Sequence, residues 1–242
     1  MSQVEALKQK FNELDSLDSV KAFLDLRAKK HSNYYHYTTI NALQSMLQSK
    51  KLHLSQGKTM NDLLEIKKIA SETWDRLYVA SFSLSTNESA ALWHSYGNPL
   101  NQAIRIRFSP SAIRNVLAQL KASGQCQAVK TTQTYNIDYA KNVDVAYIQN
   151  NQKSLRWNRT TLSDSCCHDL PSINTKSELV GYIKNIAWEY EQETRILVEL
   201  KRNSREDTFP DKLQIDAEAL WSGVKILCGP CLDYEKFEVE MP

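Results

Sequence analysis

A short acidic stretch, AWEYEQETRILVEL, holds the side chains of this sequence that are best suited to catalysis. Glu189, Glu191, Glu193 and Arg195 occupy every second position in it. On a β-strand these four side chains would share one face, where like charges two residues apart repel each other. On a surface strand, water would solvate such a row of charges. The apolar run ILV that follows instead predicts a strand that enters the core. Arg195 can then pair with one carboxylate and leave another free to accept a proton or bind a hydroxyl group.

A histidine and a threonine near the start of the chain form a second candidate group. His36 and Thr38 flank Tyr37, and the residues around them predict a strand over 34–37. Side chains two apart on a strand point to the same side, so an imidazole and a hydroxyl can reach one polar ligand such as a ribose edge. A histidine among aromatic residues is more often a half-buried structural residue, and both interpretations stay open.

Two aromatic side chains could hold a flat ring. Trp93 and Tyr96 lie three residues apart in a predicted helix over 88–96, so they are neighbours on its surface. They form either part of the core or a platform on which a ring stacks, and their spacing does not decide between the two. Ser81 and Ser83, in the preceding predicted strand, could add hydroxyl groups.

Other motifs favour structural roles. Asn61 and Asp62 are typical of a capped helix start. Cys228-Gly-Pro-Cys231 has the spacing of a redox motif, but only LDYEKFEVEMP follows it, so we expect a strand that ends at a Gly-Pro turn. These cysteines could bind zinc together with Cys166-Cys-His168, yet adjacent cysteines suit a tetrahedral site poorly, and we expect no metal.

The composition is that of an ordinary globular protein. The 242 residues are 42% hydrophobic and 24% charged, and Lys and Arg total 30 against 28 Asp and Glu, so the net charge favours no class of partner. No stretch is apolar enough to span a membrane, and the first residues lack the apolar core of a signal peptide. Because the five cysteines also show no disulfide pattern, we expect a cytoplasmic protein without a membrane partner.

The pattern along the chain predicts a mixed α+β domain, with mainly antiparallel sheets of short strands and flanking helices. We expect residues 1–30 to form a helical segment and residues 31–242 to form a single α+β domain. The predicted helices include 4–15, 18–30, 61–74 and 177–189, and the predicted strands include 126–131, 143–148 and 191–200.

Together these motifs resemble those of an uncharacterised bacterial family, a domain of unknown function. Its members share an HYT, an Asn-Asp with a following Glu, a Trp-x-x-Tyr, a Trp ahead of Glu-x-Glu-x-Arg, and a final Gly-Pro. Here these are His36–Thr38, Asn61-Asp62, Trp93–Tyr96, Trp188–Arg195 and Gly229-Pro230, in the same order from about residue 33 to residue 232. Leu63 stands where the family has a proline, and the middle of the chain matches poorly.

The motif order is also similar to that of the ADP-ribosyltransferase fold, which implies NAD as the substrate. That resemblance implies that His36, Tyr37 and Thr38 bind the adenosine-side ribose, and that either Tyr96 or Trp93 stacks on nicotinamide.

The same resemblance assigns roles to the late acids. Glu193 would be the catalytic carboxylate, with Glu191 positioning the acceptor, although the order of these two stays open. Arg195 would pair with a carboxylate or with the NAD pyrophosphate, and Asn61 would brace the site.

These resemblances lead to three competing hypotheses. The first is a mono-ADP-ribosyltransferase that modifies a protein or a nucleic acid, as a toxin or phage-defence effector that an antitoxin or other partner neutralises. The second is a non-catalytic module whose pocket binds a nucleotide or nucleic acid. The third, nucleic-acid processing, rests on Lys153, Arg156, Trp157 and Arg159, where basic side chains flank an aromatic one, although a solvated loop is the commoner meaning of such a segment.

Overall fold

The computed structural model describes residues 16–60, 74–129, 131, 133–148, 154–156, 167–169, 179–202 and 208–232. Several sequence predictions lie outside these ranges. They are the helix over 4–15 and nearly all of the helix over 61–74. The candidate residues Asn61, Asp62 and Cys166 also lie outside, as do Lys153, Trp157 and Arg159 of the candidate nucleic-acid segment.

Helices and short strands alternate along the described chain. The helices are α1 (Leu17–Ala28), α2 (Ile40–Ser49), α3 (Ala90–Tyr96) and α4 (Pro110–Ser123). The strands are β1 (Tyr34–Thr39), β2 (Lys51–Gln56), β3 (Leu77–Ser83), β4 (Ala103–Phe108), β5 (Gln125–Ala128), β6 (Thr134–Asp144), β7 (Ala146–Ile148), β8 (Ser154–Arg156), β9 (Cys167–Asp169), β10 (Ile183–Asn185), β11 (Glu193–Leu200), β12 (Lys212–Asp216) and β13 (Lys225–Cys228). Among these described helices, none is long and apolar enough to cross a lipid bilayer.

Two helices begin at local sequence signals. The sequence offers Thr38 or Thr39 as the cap of a helix that runs to Lys50, and Ser109-Pro110 as the start of another. The Thr39 hydroxyl accepts a hydrogen bond from the backbone N–H of Ala42 and caps α2. Ser109 caps α4 in the same way, with Pro110 at the first helical position. Both signals are local in sequence, and both predictions are confirmed.

Six antiparallel strands close into a barrel-like sheet. Their order is β11-β6-β5-β12-β2-β3, and pairing of β3 with β11 completes the ring. The largest apolar core packs against this sheet, and Leu54, Phe82 and Ile196 are among its buried members. The predicted α+β class with mainly antiparallel sheets is therefore confirmed.

The edge of β3 opposite β11 is divided between two strands. β2 pairs with β3 at Tyr78 and Val79, whereas β1 pairs with it only at Ser83. Between these positions, from Ala80 to Phe82, no described strand continues the ladder on that edge. β4 and β13 then extend the sheet beyond β1. The sheet thus has a gap beside the middle of β3.

All eight residues of β11 are buried, so this strand is covered on both faces. Ile196 and Val198 belong to the largest core, and Leu197 packs into a second core with residues of α1 and β10. Glu193 and Arg195 share the Leu197 face because side chains alternate along a strand. The prediction of a strand that enters the core is confirmed. β10 belongs to a separate four-stranded sheet, in which it pairs in parallel with β7.

The predicted helix over 177–189 is wrong in its described part. Residues 179–182 form a turn, and β10 follows it before a 3-10 helix over Ile186–Glu191. Gly181 has a φ of +82°, which an α-helix cannot contain. The pairing of β10 with β7 is long-range, so nothing in the local sequence reports it.

The strand predicted over 191–200 starts at Glu193 in the structure, two residues later than expected. Glu189 and Glu191 lie in the 3-10 helix, and Gln192 has a left-handed φ of +46° that separates this helix from β11. Only Glu193 and Arg195 therefore share a strand face. The left-handed residue changes the direction of the chain, so the expected row of alternating acids does not form.

Two strands of the barrel differ from the sequence predictions. β6 begins at Thr134, well before the expected strand over 143–148, and β12 was not predicted. The first part of β6 is partly exposed and polar, so it lacks the apolar run that marks a buried strand.

Candidate functional site

The gap in the sheet opens into a cavity of about 380 Å³, which is within the size range of small-molecule sites. Its walls come from β1, β2, β3, α3 and the segment that leads into β11. The polar and aromatic side chains that line it include Tyr35, His36, Tyr37, His53, Ser55, Ser81, Ser83, Ser95, Tyr96, Lys184, Glu191 and Glu193.

His36 reaches across the gap from β1 to β3. Its Nδ1 donates a hydrogen bond to the carbonyl oxygen of Ser81 at 3.1 Å, in the part of β3 whose edge opposite β11 has no described ladder partner. A ring nitrogen facing a carbonyl must carry a hydrogen, so Nε2 of the neutral ring is an acceptor. Burial lowers the pKa of His36, and the bond to Ser81 offsets this only in part. The imidazole is therefore neutral at pH 7.

Glu193 is a buried carboxylate held on both oxygens. Arg195 Nε lies 2.7 Å from Oε1 and Arg195 Nη2 lies 3.0 Å from Oε2, while Lys184 Nζ is 3.3 Å from Oε2. Burial opposes ionisation most strongly, but Arg195 and Lys184, with a hydrogen bond from the Ser81 hydroxyl, lower the pKa of Glu193 to about 2. Glu193 is therefore a fixed negative charge.

Glu191 has different surroundings although it is only two residues away. Its Oε2 lies 2.6 Å from Lys184 Nζ, and its Oε1 accepts a hydrogen bond from the Tyr96 hydroxyl at 2.8 Å. Burial, and then the negative charge of Glu193, raise the pKa of Glu191, and Lys184 offsets this only in part. Of the two acids, Glu191 is the one that can take up a proton more easily.

Lys184 lines the cavity at a position that the sequence did not indicate as a site residue. The side chain is 2% exposed, and its ammonium also lies 4.8 Å from the centre of the Trp188 ring. Burial disfavours the charge, but Glu193 and Glu191 outweigh it and raise the pKa of Lys184. The only signal in the sequence is a single lysine directly after the apolar stretch VGYI.

The two aromatic candidates on α3 have different surroundings. Tyr96 lines the cavity and is 37% exposed. Trp93 is buried in a small core, with its ring edge-on to Tyr37 at 4.7 Å between centroids. Behind this wall the Arg105 guanidinium lies 4.5 Å from the Tyr35 ring centre and donates to the Tyr37 hydroxyl at 3.3 Å. Tyr96 thus contributes a partly exposed ring to the cavity wall, and Trp93 supports Tyr37.

The structure brings five of the predicted site residues to one place. His36, Tyr37, Tyr96, Glu191 and Glu193 all line the same cavity. They come from β1, α3, the 3-10 helix and β11, which are widely separated in sequence.

Other predicted site residues lie elsewhere. Thr38 is buried in β1 opposite Ile104 and is not part of the cavity lining. Arg195 is completely buried against Glu193, and its Nη1 donates to the Gly181 carbonyl at 3.0 Å. Asn61 lies outside the described residues.

A tyrosine on β7 also supports the site without having been predicted. The Tyr147 hydroxyl accepts a hydrogen bond from the backbone N–H of Glu193 at 2.8 Å. Tyr147 is completely buried, so this bond fixes the start of β11 from a residue outside the cavity lining. No periodicity marks Tyr147 in the sequence, because it belongs to a three-residue strand.

The cysteine motif has the structural role that the sequence predicts. β13 ends at Cys228, and a turn follows at Pro230 and Cys231. Cys126, Cys228 and Cys231 are free thiols. Within the ranges that the structure describes, no group of three or more His, Cys, Asp and Glu side chains is placed to hold a metal ion.

Comparison with known proteins finds one family match, which covers part of the chain and names no activity. Residues 92–196 match a protein family of unknown function (DUF2971). Neither the curated proteins nor the solved structures contain a significant match to the chain. The matched residues include Tyr96, Lys184, Glu191 and Glu193, whereas His36 precedes them. The family match therefore covers the acidic side of the cavity and leaves its chemistry to be argued from geometry.

Proposed function

We propose that this chain is a NAD-dependent mono-ADP-ribosyltransferase. The supporting observation is that His36, Tyr96, Glu191 and Glu193 line one cavity in a gap of an antiparallel sheet. The resemblance to the ADP-ribosyltransferase fold, as inferred from motif order, assigns the same residue types to NAD. Nucleotide binding without catalysis is the alternative, and the two differ in whether NAD is consumed.

The reaction requires cleavage of the bond between the nicotinamide nitrogen and ribose C1′. Nicotinamide leaves with the bonding electron pair, and the ribose develops an oxocarbenium-like positive charge. A fixed carboxylate beside the ribose stabilises this charge more in the transition state than in the ground state. Glu193 suits this role, because Arg195 and Lys184 keep it ionised and hold its position.

Glu191 is assigned to the acceptor side of the reaction. The nucleophile of the acceptor forms the new bond to C1′ and transfers its proton to the Glu191 carboxylate. A general base is most effective when its pKa is close to the working pH, and the pKa of Glu191 is raised by burial and by Glu193. Lys184 and Tyr96 hold its two oxygens and so orient the carboxylate.

His36 and Tyr96 are assigned to binding NAD. Nε2 of His36 is an acceptor for a hydroxyl of the adenosine-side ribose, because Nδ1 is already used by the Ser81 carbonyl. The exposed Tyr96 ring offers a surface for nicotinamide, as aromatic rings favour offset or edge contacts with one another. In this proposal Arg195 acts through Glu193 and does not contact the pyrophosphate.

The acceptor is proposed to be a macromolecule, either a protein or a nucleic acid. A role as a toxin or phage-defence effector in the cytoplasm, with an antitoxin or other neutralising partner, is a prediction from the resemblance alone. Modification of total cell protein and RNA by labelled NAD would identify the acceptor class, since the label stays with whichever polymer is modified.

Nicotinamide release from NAD tests the proposal. We expect release by the unchanged protein and a decrease of about 10²–10³-fold in Glu193→Gln, because the substitution removes one preorganised stabilising charge. Glu199→Gln is the matched control. It also removes an ion-paired carboxylate from β11, since the buried Glu199 pairs with the partly exposed Arg76 at 2.6 Å, but Glu199 does not line the cavity.

Comparison of Glu193→Gln with Glu199→Gln distinguishes loss of catalysis from loss of folding. We expect Glu199→Gln to keep its activity, with circular dichroism spectra showing that both variants are folded. Equal turnover in the unchanged protein and in folded Glu193→Gln would contradict the proposal. Binding of NAD without any release of nicotinamide would favour the non-catalytic module instead.

A further inference from the structure

Lys184 places one positive charge between the two acids of the cavity. Its Nζ is 2.6 Å from Glu191 Oε2 and 3.3 Å from Glu193 Oε2. All three side chains are at least 96% buried, so this charge is not screened by bulk water. Lys184 is therefore positioned to act on both carboxylates at once.

The two carboxylates depend on Lys184 to different degrees. Glu193 also binds the Arg195 guanidinium through both of its oxygens, so it keeps a cationic partner without Lys184. Among the residues that the structure describes, Lys184 is the one cation in direct contact with the Glu191 carboxylate, which also accepts a hydrogen bond from the Tyr96 hydroxyl. Removal of the ammonium should thus affect Glu191 much more than Glu193.

We propose that Lys184 is a positioning residue that gives the two acids their separate roles, by supplying the charge that lets Glu191 ionise beside Glu193. The inference rests on the proposed function, because the separate roles belong to that reaction. With the ammonium in place, Glu193 is the static charge beside the ribose, and Glu191 accepts the proton of the nucleophile. Trp188 covers the ammonium with its ring face and keeps it at this position.

Other groups also face Glu191 and contribute to its ionisation. From neighbouring elements these are Tyr96 of α3, Tyr147 of β7 and Glu193 of β11, together with the adjacent Tyr190. Arg195 of β11 acts on Glu193 and on Lys184. The tyrosines are neutral at pH 7, and the charge of Glu193 opposes ionisation of Glu191. Arg195 is committed to Glu193, so Lys184 carries the direct stabilisation of the Glu191 anion.

Titration of the Glu191 carboxyl group tests this inference without any enzymatic assay. The full chain, labelled with ¹³C at the glutamate side chains, is titrated by NMR, and the Glu191 signal is assigned by its absence in Glu191→Gln. In Lys184→Met we expect the Glu191 midpoint to rise by about one pH unit or more, because a cation in contact with a carboxylate lowers its pKa by roughly that amount. Lys184→Arg keeps the charge, so its midpoint should stay close to that of the unchanged protein.

Lys141→Met is the control for loss of a lysine that pairs with an acid. Lys141 binds Asp25 at 3.6 Å and lies over the Tyr139 ring, away from the cavity, so we expect the Glu191 midpoint to be unchanged. In the nicotinamide release assay, Lys184→Met should shift the acid limb of the pH–rate profile to higher pH. The size of this shift should equal the shift of the Glu191 midpoint in the NMR titration. A merely structural role would lower the rate at every pH and leave that limb in place.

The two readouts distinguish failure of the inference from failure of the proposed function. An unchanged Glu191 midpoint in Lys184→Met overturns the role of Lys184, whether or not NAD is cleaved. A raised midpoint in a protein that never releases nicotinamide supports the electrostatic role of Lys184 but removes the proposed reaction. If Lys184→Met does not fold, the comparison is made with Lys184→Gln, which keeps a polar group beside the carboxylates.

Discussion

Glu191 and Glu193 show how two residues of one type can have pKa values shifted in opposite directions by their surroundings. Among the residues that the structure describes, Glu193 contacts both Arg195 and Lys184, whereas Glu191 contacts Lys184 and faces the negative charge of Glu193. The acids, the histidine and the tyrosine could be proposed from the sequence, because carboxylates at alternate positions and an HYT are visible there. Lys184 could not, since its role depends on the fold bringing it to both acids.

The ionised state of Glu193 should make stability depend on pH. Its folded pKa of about 2 lies below the ordinary value of 4.5, so its contribution is complete above about pH 4.5 and is lost as the pH falls towards 2. We expect Glu193→Gln to lower the free energy of unfolding by on the order of 3 kcal/mol at pH 7. Urea unfolding at several pH values should show this difference shrinking between pH 4.5 and pH 3.

An exposed ion pair serves as the control for that experiment. Glu218 pairs with Lys50 at 2.6 Å, but its side chain is 72% exposed. Glu218→Gln should change the free energy of unfolding by less than about 0.5 kcal/mol. A Glu193→Gln difference that stays constant across the whole pH range would contradict the ionised state assigned to Glu193.

Elements with local signals agree with the sequence predictions, and elements that depend on distant partners do not. Thr39 and Ser109-Pro110 mark helix starts within a few residues of chain. In contrast, β10 forms by parallel pairing with β7, and β6 pairs along β11 with a largely polar sequence. The cavity is lined by β1 and α3, which the sequence predicts, and by Lys184 of β10, which it does not. Part of the lining could therefore be proposed from the sequence, but neither Lys184 nor the shape of the cavity could.

Gly181 lies in the turn before β10 and is linked to Glu193 through Arg195. It has a φ of +82°, and an added Cβ would lie 3.0 Å from a Leu197 methyl group. Gly124 has a φ of +63°, and an added Cβ there meets no atom within 4 Å. Gly181→Ala should therefore cost both backbone strain and crowding, and Gly124→Ala strain alone.

We expect Gly181→Ala to be less stable than Gly124→Ala by about 1–2 kcal/mol in urea unfolding. The Gly181 carbonyl also accepts from Arg195, so movement of this turn should disturb Arg195 and Glu193. Equal destabilisation by the two substitutions would show that the turn adapts to the added methyl group.

The molecule as a whole places its candidate site where the main sheet is incomplete. A closed ring of strands carries the core, while the divergence of β1 and β2 along β3 leaves the cavity open between them. The family match over residues 92–196 covers the acids and Tyr96 but not the β1 and β2 walls. Both parts of the chain are needed to build one site. Neither the HYT motif of β1 nor the acidic motif before β11 therefore indicates a function by itself.

A crystal structure of Glu191→Gln with NAD tests the central claim most directly, because the slowed transfer step should keep NAD intact in the cavity. The proposal predicts NAD in the gap, with the adenosine-side ribose at His36 Nε2, the nicotinamide ring against Tyr96, and the nicotinamide-side ribose within hydrogen-bonding distance of Glu193. NAD bound outside this cavity, or bound there with its nicotinamide ribose away from Glu193, would contradict it.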